Sequence, residues 1–467
     1  MVEQTSEDLL ALFDRAPLNR RYWISFALLA GVYILDFFDF FLIAFILAAI
    51  GPQWHLTYGQ AALILYGSGL GAILGALVWG SLADRFGRRL QTVSGTMICG
   101  VSAGLIAFLP IGAFWPLAIL RIFVGFGLAA AITPALTIVV EMTPTRWRTG
   151  MTTFFVLAAA GGPFLASFAA AAFLHSIGWR GLALFGFLPI VIGVLVWLFV
   201  PESVRWLTAQ GRFEEARLGV ARQLDLPLDQ VPLPTRRPAT PPRARLSELY
   251  SEPRLFWQSV IIWGSTTTAV FGYLLWGPTI IALALSVPVT RAAEYFVYVS
   301  TAAMAGRILM ALIVQRIGRR LVGIVFAFLA AISLAAAGYL HAVVIDGFPV
   351  FVLMLGIAAF FVDGGLGNIT PYTVEQYGVR LGSRASGLGH AAAGVGKILG
   401  PLTLAVIAGT GNLIKPQATA QAVFPAFLFL AANMLAVALA FMFLAVEMHG
   451  RAMSLDPETT DRATAAQ

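Results

Sequence analysis

Residues 61–109 read AALILYGSGLGAILGALVWGSLADRFGRRLQTVSGTMICGVSAGLIAFL, in which two long apolar runs enclose the short basic stretch SLADRFGRR, residues 81–89. A helix needs ~20 apolar residues to cross the hydrocarbon core of a bilayer. The charged residues lie together between the two runs and not along them. This pattern predicts two membrane helices joined by a short basic loop.

The same pattern extends along the whole 467-residue chain, in which 59% of residues are apolar and 11% are charged. A soluble protein carries roughly a quarter charged residues. Water is absent from the bilayer core, so backbone groups must pair within each segment, and no run alternates like a barrel strand. We predict an all-α membrane protein of about twelve helices. The apolar runs begin near Tyr22, Thr57, Gln91, Phe114, Gly150, Trp179, Trp257, Ala292, Arg320, Phe348, Arg384 and Ala422.

The net charge of +7 reflects membrane topology and gives no reason to expect nucleic-acid binding. With the N-terminus taken as cytoplasmic, the two tails and the even-numbered connectors hold 24 of the 30 lysines and arginines. The odd-numbered connectors hold at most Arg180, Arg291 and Lys415. Positive charge is retained on the cytoplasmic side of membrane proteins. Both termini are therefore predicted to be cytoplasmic.

The chain repeats weakly at long range. GSLADRFGRR at 80–89 has a partner in QRIGRR at 315–320, and the equivalent arginines are 231 residues apart. An acid followed five residues later by an arginine recurs at a spacing of 234, as Glu141 with Arg146 and Glu375 with Arg380. Two pairs at nearly one spacing indicate duplication into parallel six-helix halves.

The repeat divides the chain into five predicted parts. Two tails and a proline-rich connector flank the two bundles, and Trp206 to Leu224 within the connector is predicted to be an amphipathic helix at the membrane surface. The parts are an N-terminal cytoplasmic tail (1–21), an N-terminal six-helix bundle (22–200), a cytoplasmic linker (201–255), a C-terminal six-helix bundle (256–446) and a C-terminal cytoplasmic tail (447–467).

Three motifs carry a resemblance to a known family. Residues 80–89 resemble the loop signature of the major facilitator superfamily, residues 121–127 (RIFVGFG) its fourth-helix motif, and residues 201–207 (PESVRWL) the end of the sixth helix in sugar porters. Gln315 departs from the signature, because an acid is expected there. The resemblance implies two bundles around a central cavity, alternating access and a monomeric transporter without cofactor or metal.

The first and seventh apolar runs favour one branch of that family. The sequence DFFDF at 36–40 resembles the paired-aspartate motif of aromatic-acid and other carboxylate proton symporters, and GYLLWGPT at 272–279 is similar to the same group. A sugar porter would show paired glutamines where this chain has STTT at 265–268, and a tryptophan where it has NITPY at 368–372. The resemblance implies a proton-coupled symporter of a small organic acid in the bacterial inner membrane.

Two other functions stay open at this stage. One is a proton-coupled porter of a sugar, polyol or neutral metabolite, and the other is a membrane sensor that binds solute without moving it. An enzyme is not expected, because the five histidines form no metal-ligand motif, no nucleophile motif occurs, and no glycine-rich stretch ends as a phosphate loop does. The single cysteine, Cys99, permits no disulfide framework.

Ionisable side chains inside the apolar runs are the functional candidates, because each is costly in a membrane. At 1.5 Å per residue, Asp39 lies ~14 Å and Arg121 ~11 Å from the outer ends of their helices, so the two could meet. Such a pair could couple transport to protons, since the arginine would hold the carboxylate ionised, or it could be a static ion pair. Asp36 lies on a neighbouring part of the same face and could share a proton with Asp39 or orient a neighbour.

The C-terminal half contains the candidates for anion binding. Arg307 and Lys397 are placed near the midplane, at ~22 Å from the outer and ~20 Å from the inner helix end. Arg307 could grip a substrate carboxylate or pair with Asp363 at similar depth, and His390 shares a face with Lys397 as a second proton carrier or a structural residue. Tyr273 and Trp276 lie three residues apart and could stack on a substrate ring or pack in the protein.

The basic loops and the acids near them are predicted to form a cytoplasmic gate. Asp84 is expected to stabilise the outward-open state by pairing across the contact between the halves. The residues assigned to this gate are Gly80, Asp84, Arg85, Gly87, Arg88, Glu141, Arg146, Glu375 and Arg380.

Overall fold

The computed structural model describes Leu9 and residues 11–12, 17–234 and 246–447, except for the side chains at 80, 81, 83, 84, 315, 378–380 and 383. It is almost entirely helical. The helices are α1 (Arg20–Gln53), α2 (Tyr58–Phe86), α3 (Arg88–Leu105), α4 (Phe114–Met142), α5 (Thr145–Ala158), α6 (Gly161–Leu184), α7 (Leu188–Phe199), α8 (Val204–Ala209), α9 (Phe213–Leu224), α10 (Pro253–Ala284), α11 (Val289–Ile317), α12 (Arg319–Tyr339), α13 (Val350–Ala408) and α14 (Pro416–Leu439).

Short elements complete the described fold. Strands β1 (Val344–Ile345) and β2 (Phe348–Pro349) form an antiparallel hairpin in which Val344 lies opposite Pro349 and Ile345 opposite Phe348. A π-helical turn, Ala440–Leu444, follows α14. Single 3₁₀ turns cover Ile106–Phe108, Phe185–Phe187, Leu228–Gln230 and Leu246–Ser251.

Eleven segments of the described chain are long and apolar enough to cross a membrane. One of them, Thr145–Phe199, has 55 residues, or ~80 Å of helix, which is too long for a single crossing. Gly178 inside it has φ 66° and ψ −179°, so the chain turns there and the segment forms two spans. α13 also holds two spans, Val350–Tyr377 and Arg384–Ala408. The predicted fold of twelve spans is confirmed.

The two halves begin equivalent helices in the same way. Gly87 precedes α3 with φ 93°, and Gly318 precedes α12 with φ 94°. Glycine adopts this left-handed conformation without the steric cost that other residues incur. The two glycines are 231 residues apart, the spacing found in the sequence repeat. The duplication inferred from the loop motifs is therefore visible in the backbone.

Small residues allow the helices within each half to pack closely. A Cβ atom added to Gly71 of α2 would lie 1.8 Å from the main-chain oxygen of Ile122 in α4. In the C-terminal half, a Cβ atom on Gly400 of α13 would lie 2.6 Å from the oxygen of Thr268 in α10. Glycine is common where membrane helices approach each other. These contacts bring the backbones of neighbouring helices within each half close together.

The halves are joined at the end of the molecule that lies away from the basic loops. We call the end that carries Arg88 and Arg319 the basic end, and the other the opposite end. At the opposite end, the connector after α1 and the first turn of α2 bond to the connector after α13. The bonds run from Tyr58 N to Asn412 O (2.9 Å), from Gly59 N to Thr410 O (2.9 Å) and from Ile414 N to Leu56 O (3.0 Å).

Further contacts between the halves lie between the opposite end and the middle of the molecule. The Phe45 and Phe296 rings meet edge to face at 5.7 Å, and the Ser167 and Ser300 hydroxyl oxygens lie 2.9 Å apart. At the basic end, the ion pairs of Arg88 and Arg319 each lie within one half. The described structure is thus bound together at the opposite end.

The first part of the linker is folded onto the N-terminal half. The predicted helix from Trp206 to Leu224 is two helices, α8 and α9, because Gly211 with φ 78° turns the chain between them. Arg21 pairs with Asp225 at 3.0 Å. Both helices pack around a small apolar core with the N-terminal segment. Its buried members are Leu9, Val204, Trp206, Leu207, Ala216, Val220, Ala221 and Val231. Residues 235–245 lie outside the described part of the linker.

Candidate functional site

Two buried carboxyl groups lie on α1. Asp36 is 0% and Asp39 2% exposed, and neither carboxyl group accepts a hydrogen bond from a described residue. The α-helix places them three residues apart, or ~4.5 Å along the axis. A buried carboxylate without hydrogen bonds is costly in its ionised form, and protonation removes that cost. The pair therefore has the chemistry of a proton-binding site.

Arg121 of α4 reaches the same point of α1. Its Nη1 atom donates to the main-chain oxygen of Asp39 at 3.3 Å, and its Nη2 atom donates to that of Phe40 at 3.0 Å. The guanidinium carbon lies 5.7 Å from the centroid of the Phe40 ring, and Nε has no partner among the described residues. The two helices meet at the depth the sequence predicted. The expected carboxylate–guanidinium ion pair is absent, because Arg121 uses the spare lone pairs of helical carbonyls instead.

The C-terminal half contains a closed polar cluster around Asp363 of α13. Arg307 of α11 pairs with its Oδ1 atom at 2.6 Å, and the Tyr273 hydroxyl of α10 donates to its Oδ2 atom. Of the two roles open for Arg307, this structure therefore shows the pairing with Asp363. The Arg307 charge is balanced, and Tyr273, which is 0% exposed, is turned to the acid and enclosed by protein.

Lys397 of α13 lies at the interface between the two halves, which we call the seam. A Cβ atom on Gly69 of α2 would lie 3.1 Å from the Lys397 Cβ atom, so the lysine faces the N-terminal half. Its Nζ atom lies 5.6 Å from the centroid of the Phe271 ring, within the range of a cation–π interaction. Among the described residues, no acid forms an ion pair with it. Within the described part of the chain, the Lys397 ammonium therefore lacks a counter-ion.

The Phe271 ring beside this lysine also contacts two aromatic rings of the N-terminal half. The Phe271 ring meets Phe40 edge to face at 5.1 Å and Phe41 at 5.6 Å. Sequence reasoning did not single out Phe271, since the chain has 35 phenylalanines and most of them face lipid or core. Its position between two α1 rings and a partly buried lysine is visible only in the folded molecule.

Two other predicted site residues are held by local contacts. Trp276 is 1% exposed, donates from Nε1 to the Pro401 main-chain oxygen at 2.7 Å, and packs against Tyr58 with 5.9 Å between ring centroids. It belongs to the closed part of the seam in this conformation. His390 is exposed, and its Nδ1 donates to the Ser386 main-chain oxygen at 2.8 Å. This bond lies within its own helix, and both predicted roles of His390 stay predictions.

The two halves form repeat-related ion pairs at the basic end. Arg88 pairs with Glu141 in the N-terminal half, and Arg319 pairs with Glu375 at 2.7 Å in the C-terminal half. The arginines are 231 and the acids 234 residues apart. Asn368 adds a bond by donating to the Arg319 main-chain oxygen at 2.9 Å. Each pair joins the start of one helix to the end of a neighbouring membrane span within the same bundle.

The other residues assigned to the gate are placed differently. Arg85 is exposed, and the exposed Arg146 lies with its guanidinium carbon 5.8 Å from the Trp147 ring centroid. Gly87 has the positive φ already described, and its neighbour is Glu202, an acid that sequence reasoning did not assign to the gate. The side chains of Asp84 and Arg380, together with the surroundings of Gly80, lie outside the described residues. The predicted pairing of Asp84 across the halves therefore stays a prediction.

Glu202 caps the first turn of α3. Its carboxylate accepts from the main-chain nitrogens of Arg88 at 3.0 Å, Arg89 at 3.0 Å and Ser203 at 2.8 Å. An acid is favourable there, because the first N–H groups of a helix have no partners within the helix and carry a partial positive charge. The signal in the sequence was the PESVRWL motif, whose acid lies far from α3 along the chain.

Replacing Glu202 with alanine is expected to destabilise the protein by about 1–3 kcal/mol, the usual cost of losing hydrogen bonds to a charged group. The thermal unfolding midpoint of the purified protein measures this effect. The control is Glu215→Ala, since Glu215 is an exposed acid on the neighbouring linker helix. An equal midpoint in the two variants would show that the cap contributes no stability.

Two repeated six-helix bundles, joined at one end around buried charges, define a secondary membrane transporter. The family model for the Major Facilitator Superfamily matches residues 29–401. The chain belongs to this superfamily. It is a multi-pass membrane transporter of small solutes and not an enzyme.

Similar proteins and structures agree with this assignment. The chain is 25% identical to the niacin transporter NiaP of Acinetobacter baylyi over 405 residues, which cover 85% of this chain and 90% of the relative. It is 31% identical to the 4-hydroxybenzoate transporter PcaK of the same species over 218 residues, covering 45% and 46%. The crystal structure of a D-xylose–proton symporter superposes with a TM-score of 0.72 at 18% identity, covering 92% and 99%. This last likeness shows the fold alone.

Proposed function

We propose that this transporter is a proton-coupled symporter of a small organic acid, with aromatic carboxylates as the favoured class. The observation that carries the proposal is Lys397, a membrane-embedded cation at the seam between the halves with no acid partner among the described residues. Arg307 does not compete for this role in the present conformation, because Asp363 balances its charge.

The surroundings of Lys397 suit a ring that carries a carboxylate. The carboxylate would supply the missing negative charge, and the ammonium would provide a point of attraction for it. The ring would contact the aromatic side chains Phe271, Phe40 and Phe41. Niacin and 4-hydroxybenzoate, which name two of the relatives, are both aromatic carboxylic acids. This agreement supports the substrate class.

The proton is proposed to bind at Asp39. In this structure the carboxyl group of Asp39 and the Nε atom of Arg121 both lack partners, although Arg121 already bonds the Asp39 main chain. Loss of the proton would leave a carboxylate next to a guanidinium, and side-chain rotation would then join them. The present geometry is the one expected of protonated Asp39. Asp36, ~4.5 Å nearer the basic end, is placed to pass the proton on.

We further propose that the basic end faces the cytoplasm of a bacterial cell, with the transporter in the plasma membrane and both chain ends inside. The charge distribution of the connectors supports this orientation. The bonds between the halves then lie on the external side, and the structure corresponds to the inward-facing state of alternating access. A single chain carries both the proton site and the anion site, so the monomer is proposed to be the working unit.

Counterflow uptake in proteoliposomes tests the substrate class. Vesicles preloaded with 4-hydroxybenzoate should take up labelled 4-hydroxybenzoate, nicotinate and benzoate, and should not take up labelled nicotinamide or xylose. Nicotinamide is the matched control, because it keeps the ring of nicotinate and lacks the charge. Equal exchange of nicotinamide, or exchange of xylose with none of the acids, would replace this proposal with a porter of neutral solutes.

Breaking one of the repeat-related ion pairs is expected to slow the transport cycle. Glu375→Gln removes the charge that holds Arg319, so the loop before α12 is no longer fixed when the basic end has to close. Turnover should fall several-fold while substrate affinity stays within about threefold, because the pair lies away from Lys397. Initial uptake rates over a range of concentrations separate the two quantities. A variant with weakened affinity and normal turnover would contradict this role.

A further inference from the structure

Two phenylalanine rings connect the proton site to the anion site. The Arg121 guanidinium carbon lies 5.7 Å from the centroid of the Phe40 ring, and the Phe40 and Phe271 rings meet at 5.1 Å with an interplanar angle of 87°. The Lys397 Nζ atom lies 5.6 Å from the Phe271 centroid. The four side chains belong to α4, α1, α10 and α13. They form one continuous series of contacts from the N-terminal to the C-terminal half.

We propose that the contact between Phe40 and Phe271 couples the protonation of Asp39 to anion binding at Lys397. The inference rests on the function proposed above and names the residues that link its two halves. Both phenylalanines are positioning residues. Phe40 acts through Arg121, and Phe271 acts through Lys397.

The coupling begins with the position of Arg121. The guanidinium bonds the main chain of Asp39 and Phe40 and lies over the Phe40 ring while the Asp39 carboxyl group is unpaired. An ionised Asp39 attracts the guanidinium away from these partners, because opposite charges at short range in a buried site attract strongly. The Phe40 ring then loses the cation that holds it.

The rings transmit this change because neither has room to move alone. Phe40 is 1% and Phe271 6% exposed, and protein interiors are packed too densely to absorb a ring rotation. An edge-to-face pair keeps its attraction only if both rings adjust together. A shift of Phe271 changes the cation–π contact of Lys397 and hence the position of the ammonium. In the reverse direction, an anion that draws Lys397 off Phe271 acts on Phe40 and Arg121.

The other ionisable groups near this series are accounted for. Arg307 pairs with Asp363, to which Tyr273 also bonds. Tyr33 of α1 lies within electrostatic range of Asp36 and Arg307, and Cys99 of α3 within range of both α1 acids and Arg121. His390 lies on the same helix as Lys397 and bonds its own backbone. Substitution of either phenylalanine keeps all of these groups, so their own response to pH stays in every variant.

The fold provides a matched control. Phe45 and Phe296 also join the halves edge to face, at 5.7 Å and 81°, nearer the opposite end. Among the described cation–ring contacts, none involves either of these rings. Phe45→Leu therefore removes a seam aromatic without touching the proposed coupling.

The test measures the binding of labelled 4-hydroxybenzoate to the purified transporter at about pH 6 and about pH 8. The wild type should show a ratio of affinities on the order of 5–100-fold, because coupled sites usually differ by at least fivefold and one linked proton changes affinity at most tenfold per pH unit. Phe40→Leu and Phe271→Leu should each lower this ratio to about twofold or less, and the double variant should lower it no further, because the two act in series. Phe271→Tyr and Phe45→Leu should keep the wild-type ratio.

The outcomes separate this inference from the function on which it rests. A wild-type ratio in both Phe40→Leu and Phe271→Leu overturns the coupling role and leaves the symporter proposal standing. Weaker binding at both pH values with the ratio unchanged also overturns it, because that is the effect of packing alone. If the binding of 4-hydroxybenzoate to the wild-type protein does not depend on pH, both proposals are overturned.

Discussion

Lys397→Ala is expected to weaken the binding of an aromatic carboxylate by about 2–5 kcal/mol, the range for removing one partner of a desolvated charge pair. This corresponds to roughly 30-fold to a few thousand-fold in affinity. The reason is that Lys397 has no acid partner among the described residues and lies between α2 and the Phe271 ring. Equilibrium binding of labelled 4-hydroxybenzoate measures the loss. Lys397→Arg should retain part of the affinity, because arginine keeps the positive charge on a side chain of different shape.

The chain offers a matched control for this prediction. Its other lysine, Lys415, is exposed in the connector before α14 at the opposite end, so Lys415→Ala removes an equal charge away from Lys397 and the Phe271 ring. Nicotinamide should bind poorly to the wild type and be nearly indifferent to Lys397→Ala. If a neutral sugar binds the wild type normally and Lys397→Ala binds and carries it unchanged, the organic-acid assignment is wrong.

Asp39→Asn is expected to abolish accumulation driven by a pH gradient while exchange of substrate across the membrane survives. Asparagine keeps the shape of the protonated acid but cannot release a proton, so Arg121 would stay on the main-chain carbonyls of α1. The transporter would then equilibrate its substrate without coupling to protons. Uptake into proteoliposomes with and without an imposed pH gradient, together with counterflow exchange, measures the two activities separately.

A second carboxyl substitution controls for loss of charge as such. Asp229→Asn changes an exposed acid in the linker and should leave both activities at wild-type levels. Gradient-driven accumulation at the wild-type level in Asp39→Asn would remove Asp39 from the coupling mechanism. Asp36 would then be the remaining buried acid on α1 to test.

The fold could be read from the sequence because each span is specified locally. About twenty apolar residues and a basic loop are enough to predict each helix, and the repeated loop at 80–89 and 315–320 indicates the two halves. The sequence also indicates the turn at Gly178 inside one long apolar segment, since the sixth apolar run begins near Trp179. The linker was less predictable, because Gly211 divides its amphipathic pattern into two helices.

The charged site was only partly predictable, for a physical reason. Helix rise gives depth, so Asp39 and Arg121 were expected at the same level, and they lie there. Depth does not give side-chain direction, so the bonding partners of the two arginines are visible only once the helices are packed. Arg121 donates to main-chain carbonyls, and Arg307 pairs with Asp363. The part played by Phe271 depends on contacts between α10, α1 and α13, which no periodicity in a single helix records.

The most direct test of the account follows the proton and the substrate together. Purified transporter in proteoliposomes is given labelled 4-hydroxybenzoate outside, with an internal pH dye and an inwardly directed proton gradient. Accumulation above the external concentration, with internal acidification that depends on the substrate and is lost in Asp39→Asn, is the predicted result. Substrate entry that neither acidifies the interior nor exceeds equilibration, or equal entry of nicotinamide, would contradict proton-coupled transport of an organic acid.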